Sequence, residues 1–405
     1  MKFNVLKGLN EIGGNCIEVF TQKTRLLFDY GTPLSLDSKP PNLSNTKYDA
    51  LILSHSHQDH YGMVESLLQE IPVYSTKLMV DLINAAKLFS KNKLLKRNFH
   101  FFKPFIAFKI GDITITPFLN DHSSSESFSF RIDGEGSSIF YTGDLRSHGR
   151  KGKLFSHILK NPPKKIDTLI IEGTNVNSEK EHFVTEKKLE DELYTNFKSS
   201  TSVNFVICSS QNLDRVITTY KACKRSRKTF VIDIYTAWIL EIHKSVSNNI
   251  PQISWEDVKV LSREYVGSKY YPIVKENPDT FGTWTKQLYE PENCILIKDI
   301  AKNPSKYVLK ISDSLIESVI KKLNLKPNVI YSMWEGYMNK TFNERSFKRF
   351  KTIRDLAARF EVIHTSGHIS KSDITRLMQA IDPKELVPIH TQGHEEMMKI
   401  FRRKI

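Results

Sequence analysis

The chain has 405 residues, 40% of them hydrophobic and 26% charged, which is enough for a sizeable core and, at roughly 150 residues per domain, for two or three domains. It holds no run of ~18 apolar residues, and its start lacks the basic-then-apolar pattern of a secretory signal, which argues against a membrane span or exported precursor and for the cytoplasm. Lys and Arg outnumber Asp and Glu by 59 to 45, a formal net charge of +14, so a polyanionic partner is admissible, although a solvated lysine-rich surface gives the same sum.

In chain order, the first 180 residues alternate short strand patterns with turn signals, at 15–21, 25–28, 50–53, 113–118, 128–132, 138–141 and 168–171. Several of these are apolar throughout, as Leu51-Ile52-Leu53 and Leu169-Ile170-Ile171 are. Strands covered on both faces by helices, here expected at 63–68 and 78–89, read this way. From about Val184 the texture becomes helix 186–197, strand 204–208, helix 213–224 and strand 230–234, the alternation of a parallel sheet. A Pro-punctuated stretch at 251–304 has weak periodicity, and strand character resumes at 307–311 and 329–333. The tail supplies strand 360–364, helix 374–381, strand 386–390 and helix 395–401. The reading is an α/β protein with domains at 1–183, 184–355 and 356–405, the first and last being parts of one domain.

The four cysteines, Cys16, Cys208, Cys223 and Cys294, are scattered without CxxC spacing, so neither a disulfide framework nor a thiolate zinc site is indicated. A metal here must use imidazole and carboxylate. Ser54-His55-Ser56-His57-Gln58-Asp59-His60 offers both directly after an apolar strand. In extended chain His55 and His57 project to the same side while Asp59 and His60 turn toward the next helix, so one loop can serve two adjacent metal sites. A polar loop that happens to be rich in histidine is the plainer alternative.

The HxHxDH motif after a strand resembles the metallo-β-lactamase superfamily. Asn120-Asp121-His122-Ser123, Tyr141-Thr142-Gly143-Asp144 and Leu27-Phe28-Asp29-Tyr30-Gly31 resemble its further motifs in the same order. Ile171-Glu172-Gly173-Thr174, His364-Thr365-Ser366-Gly367-His368 and Pro388-Ile389-His390-Thr391 resemble the signatures of its β-CASP group, whose members act on nucleic acid and include RNase J. The resemblance implies a four-layer αββα sandwich with an inserted β-CASP α/β domain. It implies two zinc ions, with manganese as the alternative, held by His55, His57 and His122 and by Asp59, His60 and His390, with Asp144 bridging. Catalysis falls to Asp59, His368 and Glu172, with His368 at the scissile phosphate and Glu172 orienting an imidazole.

The implied function is a nuclease that hydrolyses phosphodiester bonds of single-stranded RNA with a hydroxide activated by two metals. The alternatives are a DNA nuclease of the same group, a hydrolase of a small ester, and a non-catalytic nucleic-acid binder. Ser209, Ser210, Asn212 and Arg215, which open a helix, and Ser366 and Gly367 are candidate phosphate contacts, with an ordinary helix cap as the plain reading of the first group. Phe281, Trp284 and Tyr289 are candidate stacking residues, better read as core. His148 and Arg150 either line the cleft or sit in a solvated loop. The partner implied is RNA in preference to DNA, with no membrane, as a monomer or a homodimer.

Overall fold

Two six-stranded sheets carry the first unit of the protein, seen in a computed structural model that describes residues 1–35, 37–262 and 270–402. This unit comprises Met1–Asn84, Leu94–Phe183 and Gly367–Ile405, and the second comprises Ala85–Lys93 and Val184–Ser366. The first sheet runs in the order β1 (Lys2–Lys7), β2 (Cys16–Phe20), β3 (Arg25–Phe28), β4 (Ala50–Ile52), β5 (Val73–Ser75) and β6 (Phe99–Phe101). Its first three strands are antiparallel and the rest parallel. The second contains β7 (Phe108–Ile110), β8 (Ile113–Leu119), β9 (Phe128–Gly134), β10 (Ser137–Tyr141), β11 (Thr168–Glu172) and, at its edge beside β11, the C-terminal strand Glu385–Ile389.

The strict two-residue period of a strand decides which side chains meet across the layers. Along β10, Ile139 and Tyr141 join the core shared by the two sheets, while Phe140 faces the opposite way into a core with the outer helices. Along β11, Ile170 takes the first direction and Leu169 and Ile171 the second. These strands are therefore apolar on both faces, which is why they read as continuous apolar runs. Helices Gly152–Lys160, Lys371–Ile381 and His394–Arg402 supply that outer layer through Phe155, Leu377 and Met397. On the other side Met79 and Ile83 of the helix Lys77–Phe89 pack with the first sheet, completing an αββα sandwich.

The second unit is a seven-stranded parallel sheet of β12 (Asn204–Ile207), β13 (Thr229–Ile232), β14 (Val258–Leu261), β15 (Cys294–Ile295), β16 (Tyr307–Lys310), β17 (Asn328–Tyr331) and β18 (Arg359–Val362). Its strand order is β15-β14-β13-β16-β12-β17-β18. The strand expected in the tail at 360–364 is β18 and pairs with β17 here, not with the first unit. The helix expected at 63–68 is a single 3-10 turn, Val64–Ser66. Among the described residues no helix is long and apolar enough to cross a membrane.

A candidate metal centre in the first unit

The chemistry-bearing residues sit on loops that leave the C-terminal ends of first-unit strands: 54–60 after β4, 120–127 after β8, 142–146 after β10, 172–174 after β11 and His390 after the C-terminal strand. Close backbone approach brings these loops together. A Cβ at Gly31 would lie 1.6 Å from the Asp59 carbonyl oxygen, and one at Gly143, whose φ is +54°, would lie 2.8 Å from the Phe128 carbonyl oxygen. Only glycine fits either place. Asp29 and His390, at φ 57° and 49°, hold the left-handed conformation despite carrying side chains, a local strain of a kind found at functional sites.

Three imidazole nitrogens converge first. His57 Nδ1 lies 3.0 Å from His55 Nε2 and 3.2 Å from His122 Nε2. Tetrahedral zinc with bonds of ~2.0–2.1 Å sets its ligands about 3.3 Å apart, close to what these three nitrogens already show. The second group contains Asp59, His60, Asp144 and His390. Here His390 Nε2 lies 3.2 Å from Asp59 Oδ2, and His60 Nε2 lies 3.2 Å from Asp144 Oδ2. Asp144 Oδ2 also stands 3.8 Å from His55 Nε2, 3.9 Å from His122 Nε2 and 3.9 Å from His390 Nε2, so it belongs to both groups.

The far side of four of these rings is anchored. Ser54 Oγ donates to Asp29 Oδ2 at 2.7 Å and so accepts from His55 Nδ1 at 3.0 Å. His60 Nδ1 donates to Asp29 Oδ2 at 2.8 Å, and His122 Nδ1 to the Gly367 carbonyl at 2.7 Å. His390 Nδ1 donates to Thr174 Oγ1 at 2.8 Å, since that hydroxyl is itself donated to Glu172 Oε2 at 2.7 Å. Four rings thus turn Nε2 into the site, in the arrangement outer hydrogen bonds impose on metal-ligating histidines. His60 Nε2 and both Asp144 oxygens are buried without a hydrogen bond of acceptable geometry. Buried polar atoms without partners are rare and costly, and these donors fit divalent cations.

The titration behaviour of three of these rings agrees with that donor set. Burial, reinforced by neighbouring imidazoles, holds His55 well below the usual histidine range, and burial draws His57 down to about 4 and His122 well below its usual value. These rings are neutral at physiological pH, the form that ligates. Burial alone would raise the Asp59 and Asp144 carboxyls. The neighbouring His390 and His60 rings outweigh it and bring Asp59 to about 2, while His390, His60 and His368 take Asp144 well below its usual range. Burial likewise opposes charge on His60 and His368, yet Asp144 and Asp29 raise the first, and Glu172 and Asp144 raise the second to about 9.

Two stretches match known families: residues 24–190 a beta-lactamase superfamily domain, and residues 354–405 a Zn-dependent metallo-hydrolase RNA specificity domain. Ribonuclease J of Helicobacter pylori is 23% identical over 96% of this chain, and an RNase J-like protein of Methanocaldococcus jannaschii is 24% identical over 96%. These matches support the metallo-β-lactamase superfamily, in its β-CASP, RNase J-like group, as the family of this chain. The chain spans 56% of the length of the Helicobacter relative and 92% of the Methanocaldococcus one. The crystal structure of an Enterococcus faecalis protein of unknown function shares the fold, with a TM-score of 0.75 at 19% identity over 97% of this chain and 95% of that one.

Within this β-CASP protein, His368 Nδ1 lies 3.1 Å from Glu172 Oε1 and 3.6 Å from Asp144 Oδ2, beside the two donor groups. Glu172 touches His368 directly and reaches His390 through Thr174. The candidate phosphate contacts are more dispersed. Ser209 is exposed, but Ser210 is buried against Thr236 and Lys310, and Asn212 caps its helix by accepting from the Arg215 amide. Arg215 is fully buried and committed to Glu186, Ser332 and His364, so its guanidinium is not a surface contact. Gly367 contributes its carbonyl to His122, and Ser366 is half-buried. His148 is buried beside Phe183, and Phe281 and Trp284 are core. Sequence reasoning did not find Tyr141, whose hydroxyl donates to Asp29 Oδ2 at 2.5 Å, or the anchors Ser54 and Thr174. All three lie inside or beside the metal-binding motifs, which is the signal that could have found them.

Proposed function

We propose that this chain is a zinc-dependent ribonuclease that hydrolyses phosphodiester bonds in single-stranded RNA, leaving 5′-phosphate and 3′-hydroxyl ends. The carrying observation is the Asp144 Oδ2 atom, which stands within 4 Å of nitrogens from both donor groups. One carboxylate shared by two sets of ligands suits a pair of cations. In this reading His55, His57 and His122 hold one zinc, Asp59, His60 and His390 the other, and Asp144 touches both. Zinc bound there would supply Lewis acidity, lowering the pKa of water and offsetting charge on the phosphate. The choice of RNA follows the matched RNA specificity domain, the relatives named ribonucleases J and the net positive charge.

The protein's own contribution centres on His368. It keeps 23% of its side chain exposed, whereas His55, His60, His122 and His390 are shut off from solvent. Glu172 and Asp144 outweigh burial and raise its pKa to about 9, which favours the protonated ring. With Nδ1 turned to Glu172, Nε2 is the nitrogen that holds the scissile phosphate and donates a proton to the departing 3′ oxygen. Glu172 fixes the orientation of that ring and, through Thr174, of His390.

The test is digestion of 5′-labelled and 3′-labelled single-stranded RNA and DNA by protein stripped of metal and reloaded with zinc or manganese, beside a small ester. RNA cleavage is expected, with Asp59→Ala and His368→Ala each losing at least ~100-fold in rate while still binding RNA. Cleavage of DNA alone, ester hydrolysis with intact RNA, or wild-type rates in either variant would each overturn the assignment.

A further inference from the structure

The second unit carries an exposed tryptophan that neither its core nor the metal centre uses. Of the four tryptophans, Trp284 is buried, Trp238 and Trp255 pack half-buried against the core, and Trp334 is 53% exposed. It lies just beyond β17, followed by the 3-10 turn Glu335–Met338. The indole is nonetheless held firmly. A Cβ on Gly336 would fall 2.3 to 2.5 Å from three of its ring carbons, so the ring occupies the space that glycine leaves. The Phe342 ring is perpendicular to it at 4.8 Å and 89°, and the Tyr337 ring nearly so at 5.5 Å and 82°. Both neighbours stand nearly perpendicular to the indole, and Phe342 is itself 38% exposed.

The surrounding chain is strongly basic. Between residues 334 and 355 stand Lys340, Arg345, Lys348, Arg349, Lys351 and Arg354 against the three acids Glu335, Glu344 and Asp355. Lys348 is paired with Glu344 and Arg349 with Asp313. Lys340 and Arg345, on either side of Phe342 in the chain, are exposed and have no carboxylate partner among the described residues. A preset aromatic ring beside uncompensated cations is the combination that binds single-stranded nucleic acid, the ring stacking on a base and the cations meeting phosphates. A purely apolar partner would leave those cations facing it unneutralised.

We infer that Trp334, cradled by Gly336 and buttressed by Tyr337 and Phe342, is a base-stacking site for single-stranded RNA, with Lys340 and Arg345 on the flanking phosphates. The choice of RNA rests on the proposed function, whereas the stacking chemistry rests on the aromatic cluster alone.

The experiment uses the full chain stripped of metal, so that binding is read without cutting, and a fluorescently labelled single-stranded RNA followed by anisotropy. Trp334→Ala is expected to weaken binding roughly tenfold, Trp334→Phe to keep most of it, and Trp334→Leu to behave as Ala does, because only a ring can stack. RNA should quench the indole emission of the wild type and leave that of Trp334→Phe nearly unchanged. Wild-type affinity in Trp334→Ala, wild-type affinity in Trp334→Leu, or equal displacement of the RNA by an acidic peptide would each overturn the site. Zinc-restored cleavage by the wild type separates the two claims. Binding that depends on Trp334 without cleavage would sink the nuclease and keep the stacking site, and cleavage with Trp334-independent binding would do the reverse.

Discussion

At the residue scale, four rings of the centre, those of His55, His60, His122 and His390, have their outward nitrogens engaged, which turns their inward nitrogens to the site. Asp29 Oδ2 alone accepts from Ser54, His60 and Tyr141. If Tyr141 fixes that carboxylate, Tyr141→Phe should lower zinc affinity by roughly 10- to 100-fold, the usual effect of losing an outer hydrogen bond. Competition with a chromophoric chelator measures it, and an unchanged affinity would remove Tyr141 from the centre. Of the donors now gathered around Asp144, His55, His57, Asp59 and His60 were legible because imidazoles and a carboxylate crowd one short loop after a strand, whereas His122, Asp144 and His390 were legible only through the family resemblance. Tyr141 was not, because a tyrosine in an apolar strand reads as core, and only the packed structure shows where its hydroxyl ends. Arg215 misled in the opposite sense, since a cation at a helix start looks like a phosphate contact until its burial is seen.

At the scale of elements, Arg215 ties α1 (Glu186–Ser199) to α2 (Leu213–Arg225) through Glu186, and reaches Ser332 just beyond β17. Both charges are fully buried. Removing one partner strands the other, so Glu186→Ala should cost about 3–5 kcal/mol, whereas the apolar double replacement Glu186→Leu with Arg215→Met should cost much less. Urea titration of the three variants decides it, and a double variant as unstable as Glu186→Ala would show the pair to be worth more than its desolvation. In the first unit Gly143 sets the turn that presents Asp144. Gly143→Ala adds left-handed strain and a 2.8 Å clash with the Phe128 carbonyl, and should cost at least ~1 kcal/mol, read by the same titration. Strands apolar on both faces were legible from composition alone, but β18 was not assignable to a sheet, because its pairing with β17 is set by tertiary contacts that a four-residue strand does not encode.

At the scale of the molecule, the two units have separate cores, and their tryptophans divide them cleanly. All four, Trp238, Trp255, Trp284 and Trp334, lie in the second unit, and all seven residues proposed as metal ligands lie in the first. The change of texture near Val184 is legible as a shift to helix-strand alternation, whereas the membership of 85–93 in the second unit is not, because it depends on packing partners such as Tyr235 and Phe281 against Phe89, more than a hundred residues away in sequence. This division permits a thermal test of where the cations bind. Zinc at ~1,000 times its dissociation constant stabilises the unit that binds it by about 4 kcal/mol, which for a unit of roughly 200 residues raises its melting temperature by on the order of 8–16 °C. Chelation should therefore lower the part of the far-ultraviolet dichroism melt that has no counterpart in tryptophan emission, while the transition seen in tryptophan emission stays in place. A tryptophan transition that moves by the same amount, or a dichroism transition that does not move, would place the cations elsewhere than on the histidines and aspartates of the first unit.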